Sequence, residues 1–253
     1  MNRIIFTLGV WLFPAACTAL GAAGVFLLRR QTRPATRRIL CGMAAGIMLA
    51  ASVWSLLLPA IQRGQTLPLP AWIPSAVGLV LGAVGLLQVE QFAGQLLAGG
   101  AGHGGRMVLA VTLHNLPEGM AVGVVLAGFL AGDPTITLAS VVALSLGIAI
   151  QNVPEGAVVS LPLTANGMSR PKAFLAGTLC GAVEPVGAVL MVAITGLVTP
   201  LLPYVLAFAA GAMMYVVTEE LIPQTQQGRH TNIGTIGVAF GFVLMMVLDV
   251  ALG

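Results

Sequence analysis

The chain is written as long, nearly unbroken apolar runs, each closed by a short polar or turn-forming segment. The runs lie near 4–28, 38–61, 72–98, 106–131, 136–163, 172–198, 201–223 and 231–252. Each is long enough to cross a hydrocarbon core about 30 Å thick, which takes about 20 helical residues. Turn signals separate them: Gln31 to Thr36, Gln62 to Pro70, Gly99 to Gly105, Gly132-Asp133-Pro134, Asn166 to Pro171, Thr199-Pro200 and Gln224 to Thr231. The pattern predicts an all-α integral membrane protein of eight transmembrane helices, with residues 1–253 forming a single polytopic domain. The run from Ile4 to Leu28 is too long for the apolar core of a cleaved signal peptide and reads as the first span.

Composition agrees. Hydrophobic residues make up 58% of the 253 positions and charged residues 8%, against about 25% charged in a soluble domain. The solvent of such a surface is a lipid bilayer. The 32 glycines and 15 prolines suit close helix packing in a membrane bundle rather than loops, and small-residue faces of this kind permit a homodimer. Cys17, Cys41 and Cys180 lie in apolar runs with no disulfide or CxxC spacing.

Lys and Arg set the expected orientation, because they accumulate in cytoplasmic loops. Arg29, Arg30, Arg33, Arg37 and Arg38 flank the first connection, Arg106 the third, Arg170 and Lys172 the fifth, and Arg229 the seventh. Only Arg3 and Arg63 fall on the other side. Odd-numbered connections are then cytoplasmic and both termini extracytoplasmic. The net charge of +3 is used up by topology and does not point to nucleic acid. The arginine-rich first connection is a topology signal rather than a lipid site.

The acidic residues break the pattern. Glu118, Glu155, Glu184, Glu219, Glu220 and Asp249 lie inside predicted spans, where a charge costs at least about 2.5 kcal/mol and marks a partner, a cavity or an ion path. No Lys or Arg is placed inside the membrane to pair with them, so protons or bound cations remain as partners. Two sit in a repeated motif, His114-Asn115-Leu116-Pro117-Glu118-Gly119 in the fourth span and Gln151-Asn152-Val153-Pro154-Glu155-Gly156 in the fifth. Consecutive spans run antiparallel, so the copies form an inverted repeat, an arrangement that places binding sites near the midplane, often on broken helices. His114 and Glu118 share a helix face at i, i+4, as do Gln151 and Glu155. Pro117 and Pro154 cannot donate a backbone hydrogen bond and are expected to kink both helices, freeing carbonyls one turn earlier. An imidazole, two carboxylates and amide oxygens then converge. At 1.5 Å per residue, Met48 and Glu184 come to a similar depth, roughly 14–18 Å into spans two and six. Imidazole with carboxylate suits Zn²⁺, Fe²⁺ or Mn²⁺ better than Ca²⁺.

These residues resemble the ZIP (Zrt/Irt-like) family of divalent metal transporters, and within it the bacterial GufA-like branch. The resemblance covers essentially the whole chain and rests on the HNxPEG/QNxPEG pair. It implies transport of zinc, with Cd²⁺, Fe²⁺ or Mn²⁺ as further cargo, toward the cytoplasm across a bacterial inner membrane, through a carboxylate-bridged two-metal centre and by elevator-like or rocking alternating access. It also implies a protein that is not an enzyme and holds metal as cargo rather than cofactor. On this resemblance His114, Glu118, Gln151, Glu155 and Met48 form one metal site, and Asn115, Asn152 and Glu184 a second, with Glu118 and Glu155 bridging. Glu219 and Glu220 resemble exit-side ligands, and Asp249 an acid near the external mouth. Many members carry a second His and a further acid where this chain has Gln151 and Asn152, so its centre is less anionic. The connection from Gly99 to Gly105 holds only His103, so no His-rich cytoplasmic trap is expected. Two rivals stand beside this reading. One is an intramembrane metalloenzyme, opposed by the lack of HExxH and of a second intramembrane His. The other is a proton-coupled carrier of a non-metal solute.

Overall fold

The computed structural model describes residues 3–27, 33–97, 103–165, 167–197, 201–227 and 231–252. Every element in them is helical. Eight helices are long and apolar enough to cross a membrane: Phe6–Leu27, Pro34–Gly64, Trp72–Ala93, Val111–Leu130, Leu138–Thr164, Arg170–Ile194, Leu202–Thr225 and Ile233–Ala251. Large apolar side chains such as Leu20, Val80, Phe92, Val186, Phe240 and Val250 face outward. A soluble protein would not tolerate so much exposed hydrocarbon. This is a multi-pass membrane protein. Arg29, Arg30, Arg229 and His230 lie outside the described residues, as do the side chains of Arg3, His103, Arg106 and His114. The helix bearing the fourth span begins at His103, so His103, expected in a connection, starts that helix.

The helices His103–Leu130 and Leu138–Ala165 run without a break through Pro117 and Pro154. The repeat is therefore not built on broken helices. The irregular backbone is elsewhere. Span two widens into a π turn over Ser52–Leu57 and span seven over Val217–Leu221. In each, an i→i−5 bond closes the wide turn, from Leu58 N–H to the Val53 carbonyl and from Ile222 N–H to the Val217 carbonyl. A proline follows at once, Pro59 and Pro223. Its ring cannot sit against the carbonyl four residues back, and widening the turn relieves that clash. Span six divides at Ala182, one residue before the helix that carries Glu184.

Glycines weld the spans into four pairs, which Gly181 on Thr18 and Gly234 on Thr225 gather into two groups. A Cβ at Gly156 would strike the Thr18 backbone and one at Gly119 the Glu184 backbone, which locks span five to span one and span four to span six. Gly46 lies in the same way on Val238, joining spans two and eight, and Gly82 on Phe208, joining spans three and seven. These four pairs make the most extensive helix contacts in the fold. Across the seam between the 1-4-5-6 half and the 2-3-7-8 half, contacts run through side-chain tips instead. Gly147 meets the Met245 thioether, and Gly128 meets Leu202. Gly82→Ala, remote from the repeated motif, is expected to pry span three from span seven at a cost of about 1–3 kcal/mol, the range for overpacking a tight contact. The check is a lower thermal midpoint of the detergent-solubilised protein.

Candidate metal site

Seven buried or partly buried polar side chains lie within the 1-4-5-6 half. Asn115 and Glu118 come from span four, Gln151, Asn152 and Glu155 from span five, Thr18 from span one and Glu184 from the second part of span six. Glu118 and Glu184 are 1% and 2% exposed, burial that a lone carboxylate does not sustain without partners. The partners are amides and a hydroxyl. Gln151 Nε2 donates to Glu118 Oε1 at 2.5 Å. Asn152 Nδ2 donates to Glu184 Oε1 at 2.9 Å and to the Pro14 carbonyl at 3.2 Å. Thr18 Oγ1 donates to the same Glu184 oxygen at 3.0 Å. The two repeats thus use equivalent helix faces, and span one supplies the rest. Glu155 and Glu184 both lie near enough for their charge to be felt at Glu118, and that of Glu155 at Glu184.

What these bonds leave over decides the chemistry. Gln151 and Asn152 each spend their N–H₂ on a carboxylate, which fixes their orientation. Their carbonyl oxygens remain. Gln151 Oε1, Asn152 Oδ1, Glu118 Oε2 and both polar atoms of Asn115 are buried with no hydrogen-bond partner among the described residues. Four of these five atoms are oxygens, and the fifth is the Asn115 Nδ2 donor. A small divalent cation would satisfy the four oxygens, because it takes lone pairs and gives none. Among the described residues no three of His, Cys, Asp and Glu stand close enough to hold one ion, so amide oxygens are needed to complete any ligand set drawn from them. The His114 side chain lies outside that description.

The other expected residues make their hydrogen bonds outside this group. Met48 is buried in the apolar core, where its carbonyl accepts from Ser52 Oγ at 2.8 Å. Asp249 is buried and accepts from Ser55 Oγ at 2.7 Å, away from the central group. Glu219, exposed, and Glu220, half-buried, sit in the π turn of span seven. Their charge reaches Tyr215, whose hydroxyl donates to Glu90 Oε2 at 2.6 Å. Sequence reasoning claimed nothing for Glu90 and missed Thr18 and Pro14. An unexplained threonine four residues after a proline in span one was the available signal.

Glu155 also lines a cavity of about 40 Å³ with Cys41, Ala44, Val111, Leu221 and Gln224. That volume holds about one to three waters. The cavity reaches toward the arginine-bearing end of the bundle, where Arg37 Nη2 donates to Gln224 Oε1 at 3.2 Å and the Cys41 thiol approaches the same oxygen at 3.6 Å.

A sequence model of the family described as ZIP Zinc transporter matches residues 105–249, the stretch that holds both motif copies, Glu184 and the acids of span seven. The chain belongs to the ZIP family. The similarity covers nearly the whole of this chain. It is 40% identical to the zinc transporter GufA of Myxococcus xanthus, covering 96% of this chain and 97% of that protein. It is 40% identical to the zinc transporter ZIPB of Bordetella bronchiseptica, over 94% and 78%. The zinc transporter ZIP11 of Xenopus tropicalis is 34% identical over 100% and 98%. Membership in the GufA-like branch of ZIP makes the chain a transporter of divalent metal rather than an enzyme.

Proposed function

We propose that this ZIP protein carries Zn²⁺, with Cd²⁺, Fe²⁺ and Mn²⁺ as weaker cargo, across the bacterial inner membrane toward the cytoplasm, through the buried acceptor group of spans four and five. The surplus of unpartnered acceptors there is the observation that carries the reading. A hydrolase needs an ion with an open, water-fed position.

Glu118, Glu155, Gln151 Oε1 and His114 form the primary site in this reading, and Met48 joins it from the opposite half. The second position is different. Glu184 already accepts from Thr18 and Asn152 at Oε1, so donors hold that oxygen and the residue serves as a brace rather than the anchor of a second ion. The mixed amide and carboxylate set keeps affinity moderate, which a transport site requires in order to release its cargo. Because nearly all of the site belongs to the 1-4-5-6 half, movement of that half against the other carries the metal between the two faces, and the Glu155 cavity is the inner way out. Asp249 then lies toward entry and Glu219 and Glu220 toward exit, with both termini extracytoplasmic.

The test is ⁶⁵Zn²⁺ entry into proteoliposomes holding the native chain or Glu155→Ala, with Mn²⁺, Fe²⁺ and Cd²⁺ as competitors. Saturable entry that the variant loses is the expected result. Entry no faster than into empty vesicles, under any metal or pH gradient, overturns the proposal.

A further inference from the structure

The polar contacts between spans described above stay inside one half or the other: Thr18 to Glu184, Gln151 to Glu118, Ser55 to Asp249, Tyr215 to Glu90, Arg37 to Gln224. One further contact crosses the seam. Arg63, in the last turn of span two, places Nε 2.9 Å from Asp133 Oδ2, on the connection between spans four and five. It lies at the end of the bundle opposite Arg37 and the Glu155 cavity.

Both partners are built into place. Span four ends in a Schellman motif, in which Gly132 N–H bonds to the Phe129 carbonyl and Asp133 N–H to the Gly128 carbonyl. Gly132 takes φ +75°, the left-handed conformation that this motif assigns to glycine. The turn delivers Asp133 to the seam, and its second oxygen is held there by Thr135 N at 2.9 Å and Thr135 Oγ1 at 2.6 Å. The Arg63 carbonyl accepts from Thr66 Oγ1 at 2.8 Å, which fixes the other side. The Asp133 side chain is 2% exposed and that of Arg63 25%, so the pair is sheltered but reachable by water when the seam parts.

We propose that Arg63 and Asp133 form an ionic latch that holds the two halves together at this face while the opposite face is open at the Glu155 cavity. The inference rests on the transport reading. If the halves move to expose the site alternately, the contact that joins them at the closed face has to break in each cycle. A glycine weld cannot do this, because its contacts are backbone on backbone. A single charged pair at the rim can, since water replaces each partner as they separate. Metal arriving at this face binds only the state in which the latch is open, and the apparent constant is the intrinsic one divided by the fraction of that state.

The experiment uses the full chain in lipid nanodiscs and in vesicles, with Arg63→Gln, Asp133→Asn and the double variant. Spin labels on exposed Leu69 and Ala131, with the native cysteines replaced by serine, report the separation at this face. Each single variant is expected to add a longer-distance population and to lower KM for Zn²⁺ presented at this face several-fold. The double variant should match the singles, because both remove one interaction. Unchanged distance distributions overturn the latch. So does a loss of thermal stability with KM unmoved, which marks a merely structural pair, and so do single effects that add. If distances widen but no variant, nor the native chain, moves metal, the latch stands and the transport reading falls.

Discussion

Glu118→Gln is expected to lower Zn²⁺ entry at low metal by about 100-fold or more while leaving the fold intact. The substitution keeps shape and removes the charge. It also turns the unpartnered Oε2, or its twin, into an N–H₂ that a metal repels. Outer-sphere groups at metal sites are worth 10–100-fold, and an oxygen that touches the ion should exceed the top of that range. The Gln151 amide, which donates to Glu118 at 2.5 Å, can still bond to a glutamine carbonyl, so the helices keep their contact. The measurement pairs ⁶⁵Zn²⁺ uptake with the metal-induced rise in thermal midpoint, which reflects a stabilisation of about 2.7 kcal/mol for a ligand at 100 times its Kd. Native stability without metal, no rise with metal and no uptake is the expected triple. Uptake within two-fold of the native rate would remove Glu118 from the path.

The spans were readable because their signal is one-dimensional. A run of apolar residues long enough to cross a bilayer declares itself without any partner. The two motif copies were readable for a related reason, since i, i+4 spacing fixes a shared face inside one helix. What the chain does not write locally is which face meets which. Thr18 became a partner of Glu184 only when glycine contacts drew span one against span five, and Asp133 met Arg63 only when the Schellman turn aimed it there.

The prolines fall into two kinds. Pro117 and Pro154 drew attention because they lie beside the charges, yet both helices continue through them. Pro59 and Pro223 lie in equally apolar stretches and each follows a π turn. A proline takes away one N–H wherever it sits, and whether the ladder widens or simply loses a bond depends on what packs around it. In span seven the wide turn carries Glu219 and Glu220, so the irregular backbone falls on acids that the sequence had already singled out.

The second-largest effect is expected from a gain of charge. In the native chain Asn152 and Thr18 both donate to Glu184 Oε1, so donors occupy that oxygen. Asn152→Asp reverses this. It removes the donor and sets two carboxylates about one hydrogen bond apart, a pair that cannot both stay ionised without a proton or a metal between them. A divalent ion bridges them at neutral pH, so bound metal should rise from one to two equivalents per chain by elemental analysis of the purified protein. Because ligands must be deprotonated to bind, the extra ion should be lost first as pH falls, when a proton takes its place, and regained as pH rises. Uptake should show lower KM together with a maximal rate reduced about ten-fold or more, since each 1.4 kcal/mol of added binding that is not matched on the way out slows release by that factor. A variant that keeps one equivalent and the native maximal rate would mean that Glu184 does not share the metal's surroundings. A native chain that already binds two would make Glu184 a ligand in spite of its donors.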